Sequence, residues 1–305
     1  MHEVAVTGIG VVSPFGVGFA AFQQGLTGAR APEFVELPEL EGTGLAGQRV
    51  GRVPELETAA RTLPPKLRKF MSEAALLGCL AGREAWETAR LQGRVEACRI
   101  GLFAASGITA ASFDAAGEML DSCIDAGGAF SESLLGERGL ALMHPLDSFR
   151  ILPNMPPCIL STLLGIRGTS LVFNPWEDQG AAALVEGVRA VAEGEVDAAL
   201  VGAADTPSEP SSCLYLRQCG RLRDGEIASP GAAYLVLEPS PSSRGLARLR
   251  LVKGEAREAL ADPLAARMGR SYAAAPALAL VAACLEPAAP LGFPGLPWTL
   301  QVSVP

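Results

Sequence analysis

Residues 168–180 pass from a short apolar strand into a helix with almost no loop between them: Gly168-Thr169-Ser170-Leu171-Val172-Phe173-Asn174-Pro175-Trp176-Glu177-Asp178-Gln179-Gly180. Leu171, Val172 and Phe173 form an apolar run of strand length. Asn174 is a natural N-cap, and Pro175 suits the first helical position, where its missing N–H would be an orphan anyway. Glu177 then falls at the third position and completes a capping-box pattern, a cap that contributes on the order of 1 kcal/mol. Asp178 adds a first-turn acid favoured by the helix dipole. The helix is expected from Pro175 to Glu193, with Gly194 as its stop.

The same alternation repeats outward from this junction. Upstream, a helix from Pro153-Asn154 through Leu164 is stopped at Gly165, and Ile100 to Ala104 reads as an apolar strand. Lys66 to Arg90 reads as one amphipathic helix with Phe70, Ala74, Leu77 and Leu80 on one face. Phe113 to Ile124 reads as a helix ended by Gly127-Gly128. Downstream, Ala198 to Val201 and Ala233 to Leu237 read as strands. At the start, Val4 to Val12 is a strand, Phe19 to Leu26 a short helix, and 31–64 a Gly-, Pro- and Glu-rich loop. Apolar strands alternating with helices imply a sheet covered on both faces, an α/β fold. The segment 239–246, from Pro239 through Ser240 to Leu246, is a linker candidate. It divides the chain into 1–240 and 247–305, the second part carrying a strand at Ala247 to Val252, a helix at Ser271 to Cys284 and a strand at Trp298 to Val304.

The chain has 305 residues, a net charge of -8, 49% hydrophobic residues and only 6% aromatics, long enough for a large core built on small-residue packing. Its acidic balance argues against nucleic acid as the main partner, because neutralising phosphates needs clustered Lys and Arg. The longest apolar run, Ala273 to Leu285, contains Pro276 and is too short for a bilayer, so no membrane partner is expected. Seven cysteines without C-x-x-C spacing read as reduced thiols of a cytoplasmic protein, most simply buried small hydrophobes. With His2 and His144 as its histidines, a zinc site would have to be built almost entirely from scattered cysteines, so no metal and no cofactor is expected. Gly8 and Gly10 suggest a dinucleotide fingerprint, but Ser13 stands where its third glycine should be.

The order of these pieces resembles the β-ketoacyl synthase family of the thiolase fold. VAVTGIGVVSPFGVG (4–18) is similar to that family's first strand and turn, and RIGLFAASG (99–107) to its second strand. LPNMPPCILSTLLGIRGTSLVF (152–173) resembles the helix and strand that lead to its active site. EGEVDAALVGAADTP (193–207) and RDGEIASPGAAYLVLEPS (223–240) resemble the paired strands that complete its N-terminal half, and GRSYAAAPALALVAACL (269–285) more loosely a helix of its second half. The resemblance implies a layered αβα, thiolase-like fold with a complete N-terminal half and an abbreviated C-terminal half.

It also implies where the chemistry should be. In the family a nucleophilic cysteine stands on the turn into the helix, where the helix dipole lowers its pKa and nearby N–H groups stabilise an oxyanion. Counted from Gly168, Thr169 and Ser170, that position here is Glu177, and Gly180 still matches the family's glycine. A carboxylate cannot hold an acyl chain as a thioester. The family's two catalytic histidines are missing too, since no histidine follows His144. Residues 270–276 stand roughly where one histidine motif would fall and offer no substitute acid or base.

A ketosynthase scaffold without its nucleophile resembles the chain length factors, the non-condensing partners of active ketosynthases in type II polyketide systems. By that resemblance Leu171, Val172, Phe173 and Asn174 lie at a heterodimer interface, and Phe113, Met119, Leu120 and Cys123 border the acyl tunnel. Trp176 fills the vestigial pocket or packs as an ordinary core residue. Lys66, Arg68 and Lys69 are candidates to receive an acyl carrier protein, against the plainer expectation of a solvated helix face. Two alternatives stand beside this one: a malonyl-carrier-protein decarboxylase that supplies starter units, and a purely stabilising subunit. Leu278, Leu280 and Val281 are expected to lie exposed unless something covers them, which would make the chain unstable alone.

Overall fold

The computed structural model describes residues 3–108, 113–143, 146–240, 245–254, 261–286, 290–293 and 296–304. Seven strands carry the main sheet: β1 (Val4–Ser13), β2 (Ile100–Ser106), β3 (Ser170–Phe173), β4 (Ala198–Asp205), β5 (Gly231–Pro239), β6 (Ala247–Lys253) and β7 (Trp298–Ser303). Eight helices matter here: α1 (Phe19–Leu26), α2 (Glu73–Ala89), α3 (Phe113–Ser122), α4 (Met155–Leu164), α5 (Glu177–Ala192), α6 (Pro210–Gln218), α7 (Ala261–Met268) and α8 (Ala275–Leu285). Across the sheet the order is β7-β6-β1-β5-β4-β2-β3, with the two-residue strand Leu291–Gly292 outside β7. β2 pairs in parallel with both β3 and β4; the pairs on the other side are antiparallel.

Strand alternation sorts the core into two layers. From β5, Ala233, Leu235 and Leu237 face one side with Leu184 and Val188 of α5 and Leu278 and Val281 of α8. Ala232, Tyr234 and Val236 face the other, with Leu77 and Ala81 of α2 and Leu160 of α4. This is the αβα layering expected of a thiolase-like fold. Gly8 and Gly10 serve that packing. A Cβ at either would collide with the α2 backbone, at the carbonyls of Ala85 and Ala81, so the first strand and the helix meet backbone to backbone.

Three expectations change, and one helix, α6, was not expected. The helix at Lys66–Arg90 is two pieces, because Ser72 caps the second: its hydroxyl accepts from the Ala75 N–H at 3.3 Å, after the short turn Pro65–Arg68. The stretch 31–64 is not all loop; Glu33–Glu36 pairs with Arg49–Arg52 as a small hairpin. α6 carries no apolar periodicity strong enough to be read and went unseen. Leu278, Leu280 and Val281 are buried to within 1% of full coverage, so α8 exposes no apolar face. Beyond the linker candidate, β6 pairs directly with β1, Val4 opposite Leu249, so residues 247–253 belong to the same sheet. Among the described residues no helix is long and apolar enough to cross a membrane.

Candidate functional site

β3 ends at Phe173 and the chain turns through Asn174, Pro175 and Trp176 into α5. The capping box does not form. Trp176 occupies the N-cap without a side-chain bond, and α5 begins at Glu177 itself. The Asn174 amide reaches the other way and donates to the carbonyls of Ser106 and Gly107, both at 2.8 Å, tying the end of β3 to the end of β2. The Asn174-Pro175 peptide bond is cis.

Glu177 is freed from capping and is held by two cations. Arg270 donates from Nη2 at 2.6 Å and from Nε at 3.0 Å to Oε1, and Arg221 donates from Nη1 to Oε2 at 3.3 Å. Glu177 retains only 24% of its side-chain exposure, so these charge-assisted bonds form in a partly desolvated place. Each arginine is itself positioned. Arg270 takes its place because its N–H donates to the Ile227 carbonyl and its carbonyl accepts from the Ser229 N–H. Its guanidinium lies 4.8 Å from the Tyr272 ring centre. Arg221 stacks on Trp176 at 3.9 Å, and Trp176 is parallel to Tyr215. The Tyr272 hydroxyl donates to the Arg221 carbonyl at 3.1 Å.

Beneath this cluster Asp205, at the end of β4, accepts from the Ala273 N–H at 2.8 Å. It is 1% exposed, and burial pushes its carboxyl well above the usual range. The 272–274 turn is thereby fixed over α5. Gly180 is required there: a Cβ would collide with the Ala273 carbonyl. Beside Glu177 and Arg270 opens a cavity of about 480 Å³, walled by Leu264, Met268, Leu278, Leu291 and Phe293. It contains no thiol and no histidine among its lining residues. Among the described residues no group of three or more His, Cys, Asp or Glu side chains is placed to hold a metal ion.

The β-ketoacyl synthase N-terminal domain profile matches residues 1–234. The chain belongs to the β-ketoacyl synthase family. Solved structures repeat the fold. The ishigamide ketosynthase/chain length factor superposes with a TM-score of 0.69 at 18% identity, over 93% of this chain and 85% of that one. A type II polyketide acyl-carrier protein in complex with its ketosynthase bound to the hexaketide gives 0.63 at 18%, over 86% and 72%. A β-ketoacyl synthase from Burkholderia phymatum STM815 gives 0.63 at 19%, over 88% and 69%. At such identities the likeness is one of fold. A search of curated protein sequences finds no match.

The residues singled out in this ketosynthase-family chain fall in four places. Leu171 and Val172 lie on β3, the outer strand of the sheet, each 42% exposed, with Phe173 more covered. Met119, Leu120 and Cys123 lie on or just after α3, Leu120 exposed and Cys123 fully buried, and none of them lines the cavity beside Glu177. The side chain of Phe113, and all of His144, lie outside the described residues. Lys66 and Lys69 are exposed around the turn 65–68, while Arg68 leans back toward the Ala60 carbonyl at 3.5 Å. Trp176 is a wall of the arginine cluster. Sequence reasoning missed both arginines as partners of Glu177. Arg270 did lie in the stretch where the family resemblance placed a histidine motif; Arg221 carried no signal at all.

Proposed function

We propose that this chain is a non-condensing, chain length factor-like subunit that pairs with an active ketosynthase and shapes its acyl tunnel during polyketide or fatty-acid-type elongation. The observation that carries it is the clamp on Glu177. At the family's nucleophile position stands a carboxylate whose oxygens are both engaged by guanidiniums. It is a structural ion pair, and no histidine follows residue 144 to serve as acid or base. The outer strand β3 supports pairing: Leu171 and Val172 present apolar side chains and an open backbone edge, which a second sheet can extend. Exposed Lys66 and Lys69 suit the acidic surface of a carrier protein.

Decarboxylation of a malonyl group is the second candidate. Arg221 and Arg270 are the groups that would hold a malonyl carboxylate, but Glu177 already occupies them. The test is co-expression with the ketosynthase encoded nearest to this chain, purification through a tag on one chain, and the mass of the complex by light scattering. A one-to-one heterodimer supports pairing. A homodimer with no affinity for a ketosynthase overturns it and turns attention to carbon dioxide release from malonyl-carrier protein. Tunnel shaping is then read from product length after substitution of Met119 or Phe113.

A further inference from the structure

α7 and α8 border the same cavity but are held in very different ways. α8 is covered on every side: from Ala277 through Val281 no residue is more than 2% exposed. α7 turns only Leu264 and Met268 inward, one helical turn apart, while Pro263, Ala266 and Arg267 face water. Beneath the two inward side chains lies the space of about 480 Å³, bounded elsewhere by Leu278 and Ala279 of α8 and by Leu291 and Phe293. Apolar groups that border a space forgo the dispersion contacts of a filled core, so packing fastens α7 weakly. Hydrogen bonds add little. Among the described residues one bond ties an α7 side chain to another element: Arg267 donates from Nη1 to the Leu26 carbonyl at 2.6 Å. Leu26 ends α1, and its carbonyl is one of those a helix end leaves without an intrahelical partner. The C-terminal end of α7 is pinned instead. The Gly269 N–H closes onto the Ala265 carbonyl, and Arg270 then pairs with Ile227 and Ser229. Gly269 takes φ +80°, a left-handed joint that suits glycine.

We propose that α7 is a lid: it lifts from the cavity about Gly269 while the sheet, α5 and α8 stay folded, and the Arg267–Leu26 bond is the catch that holds it shut. Lifting α7 uncovers two apolar side chains and breaks one side-chain bond, but it breaks no strand pairing. Local openings of this kind draw on the elements with the fewest buried contacts. The lid goes beyond the pairing function proposed above and does not depend on it.

The test places a thiol in the cavity of the full chain and times its alkylation by N-ethylmaleimide, read peptide by peptide in a mass spectrometer. Ala279→Cys is the reporter, since Ala279 lines the cavity and is 2% exposed. Ser271→Cys is a second and nearly isosteric one, at a lining residue whose hydroxyl has no partner among the described residues. Native thiols supply both limits: Cys98, Cys158 and Cys219 are exposed, while Cys79 and Cys213 are fully buried and react only when the fold opens as a whole. Without denaturant, Ala279→Cys is expected to react more slowly than the exposed thiols and far faster than Cys79. Adding Arg267→Met is expected to speed it about fivefold, the net worth of one hydrogen bond, with the Cys79 rate unchanged. Arg267→Lys, which keeps a donor, is expected to restore the slow rate. Reaction of the reporter as fast as Cys98 would mean that α7 covers nothing, and reaction as slow as Cys79 that it never lifts alone. Indifference to Arg267→Met, or an equal change at Cys79, would likewise overturn the proposal. Pairing is read separately, from the mass of the complex with a ketosynthase.

Discussion

Glu177 and Arg270 lie 93 residues apart in the chain and 2.6 Å apart in the fold. The first opens α5 and the second precedes the 272–274 turn that α5 packs against. Their bond therefore fastens the segment beyond residue 246 onto the N-terminal half.

Removing one partner tests how much that fastening matters. Arg270→Met leaves Glu177 partly buried with only the longer bond to Arg221. Both side chains keep some water, 35% and 24% exposed, so the loss is expected on the order of 1 kcal/mol and not the larger cost of a fully buried pair. A thermal melt should fall by a few degrees. Adding Glu177→Gln should recover part of it, since the uncompensated charge goes too. Equal stability of wild type and Arg270→Met would show that the pair holds nothing together.

The outer strand offers a cleaner separation of stability from assembly. Val172 is 42% exposed on β3, so Val172→Lys costs the isolated chain little. If β3 is the pairing edge, the substitution places a charge in a desolvated sheet extension, and edge charges of this kind block strand pairing. The expected outcome is an unchanged melting temperature with loss of the ketosynthase from the co-purified complex. An intact complex would move the interface elsewhere.

How much of this was legible beforehand differs by element. The order of strands and helices was readable because apolar runs and Gly stops are local signals; α1 falls on the expected residues, Phe19–Leu26. The N-terminus of α5 was misread for the same reason. Asn174, Pro175 and Glu177 satisfy every local rule for a cap, yet Asn174 bonds to β2 and Glu177 to residues 221 and 270. Tertiary partners outbid the local pattern, and no spacing in the sequence announces them. Burial of Leu278 and Val281 was hidden likewise, since it depends on α5, α7 and β5 meeting α8.

Stability should also carry a pH signature away from this site. Glu73 opens α2, and burial together with nearby Glu209 raises its carboxyl from 4.5 to about 7. The folded state therefore keeps a proton between those values that the unfolded state has released. Stability is full below pH 4.5, declines as pH rises to about 7, and is flat above. Glu73→Gln removes the penalty. It should match the wild type near pH 4 and exceed it at pH 8 by on the order of 2 kcal/mol. Denaturant titrations at the two pH values decide it; an equal difference at both would assign Glu73 an ordinary pKa.

A thiol placed at residue 177 separates acidity from catalysis. Glu177→Cys puts a thiol at the N-terminus of a 16-residue helix, beside Arg221 and Arg270. Helix dipole and two guanidiniums all favour the thiolate. The new cysteine should react with iodoacetamide at pH 7 faster than Cys98, Cys158 or Cys219, the exposed native thiols. Condensation is another matter. It needs a base to help release carbon dioxide from the extender and a donor to stabilise the charge that forms, and neither the cavity lining nor the sequence after His144 supplies a histidine. Rapid alkylation without elongation of an acyl-carrier substrate is the expected pair of results. Elongation by this single substitution would mean that some other group does the work of the missing histidines, and the chain would have to be counted a disabled enzyme one residue from activity.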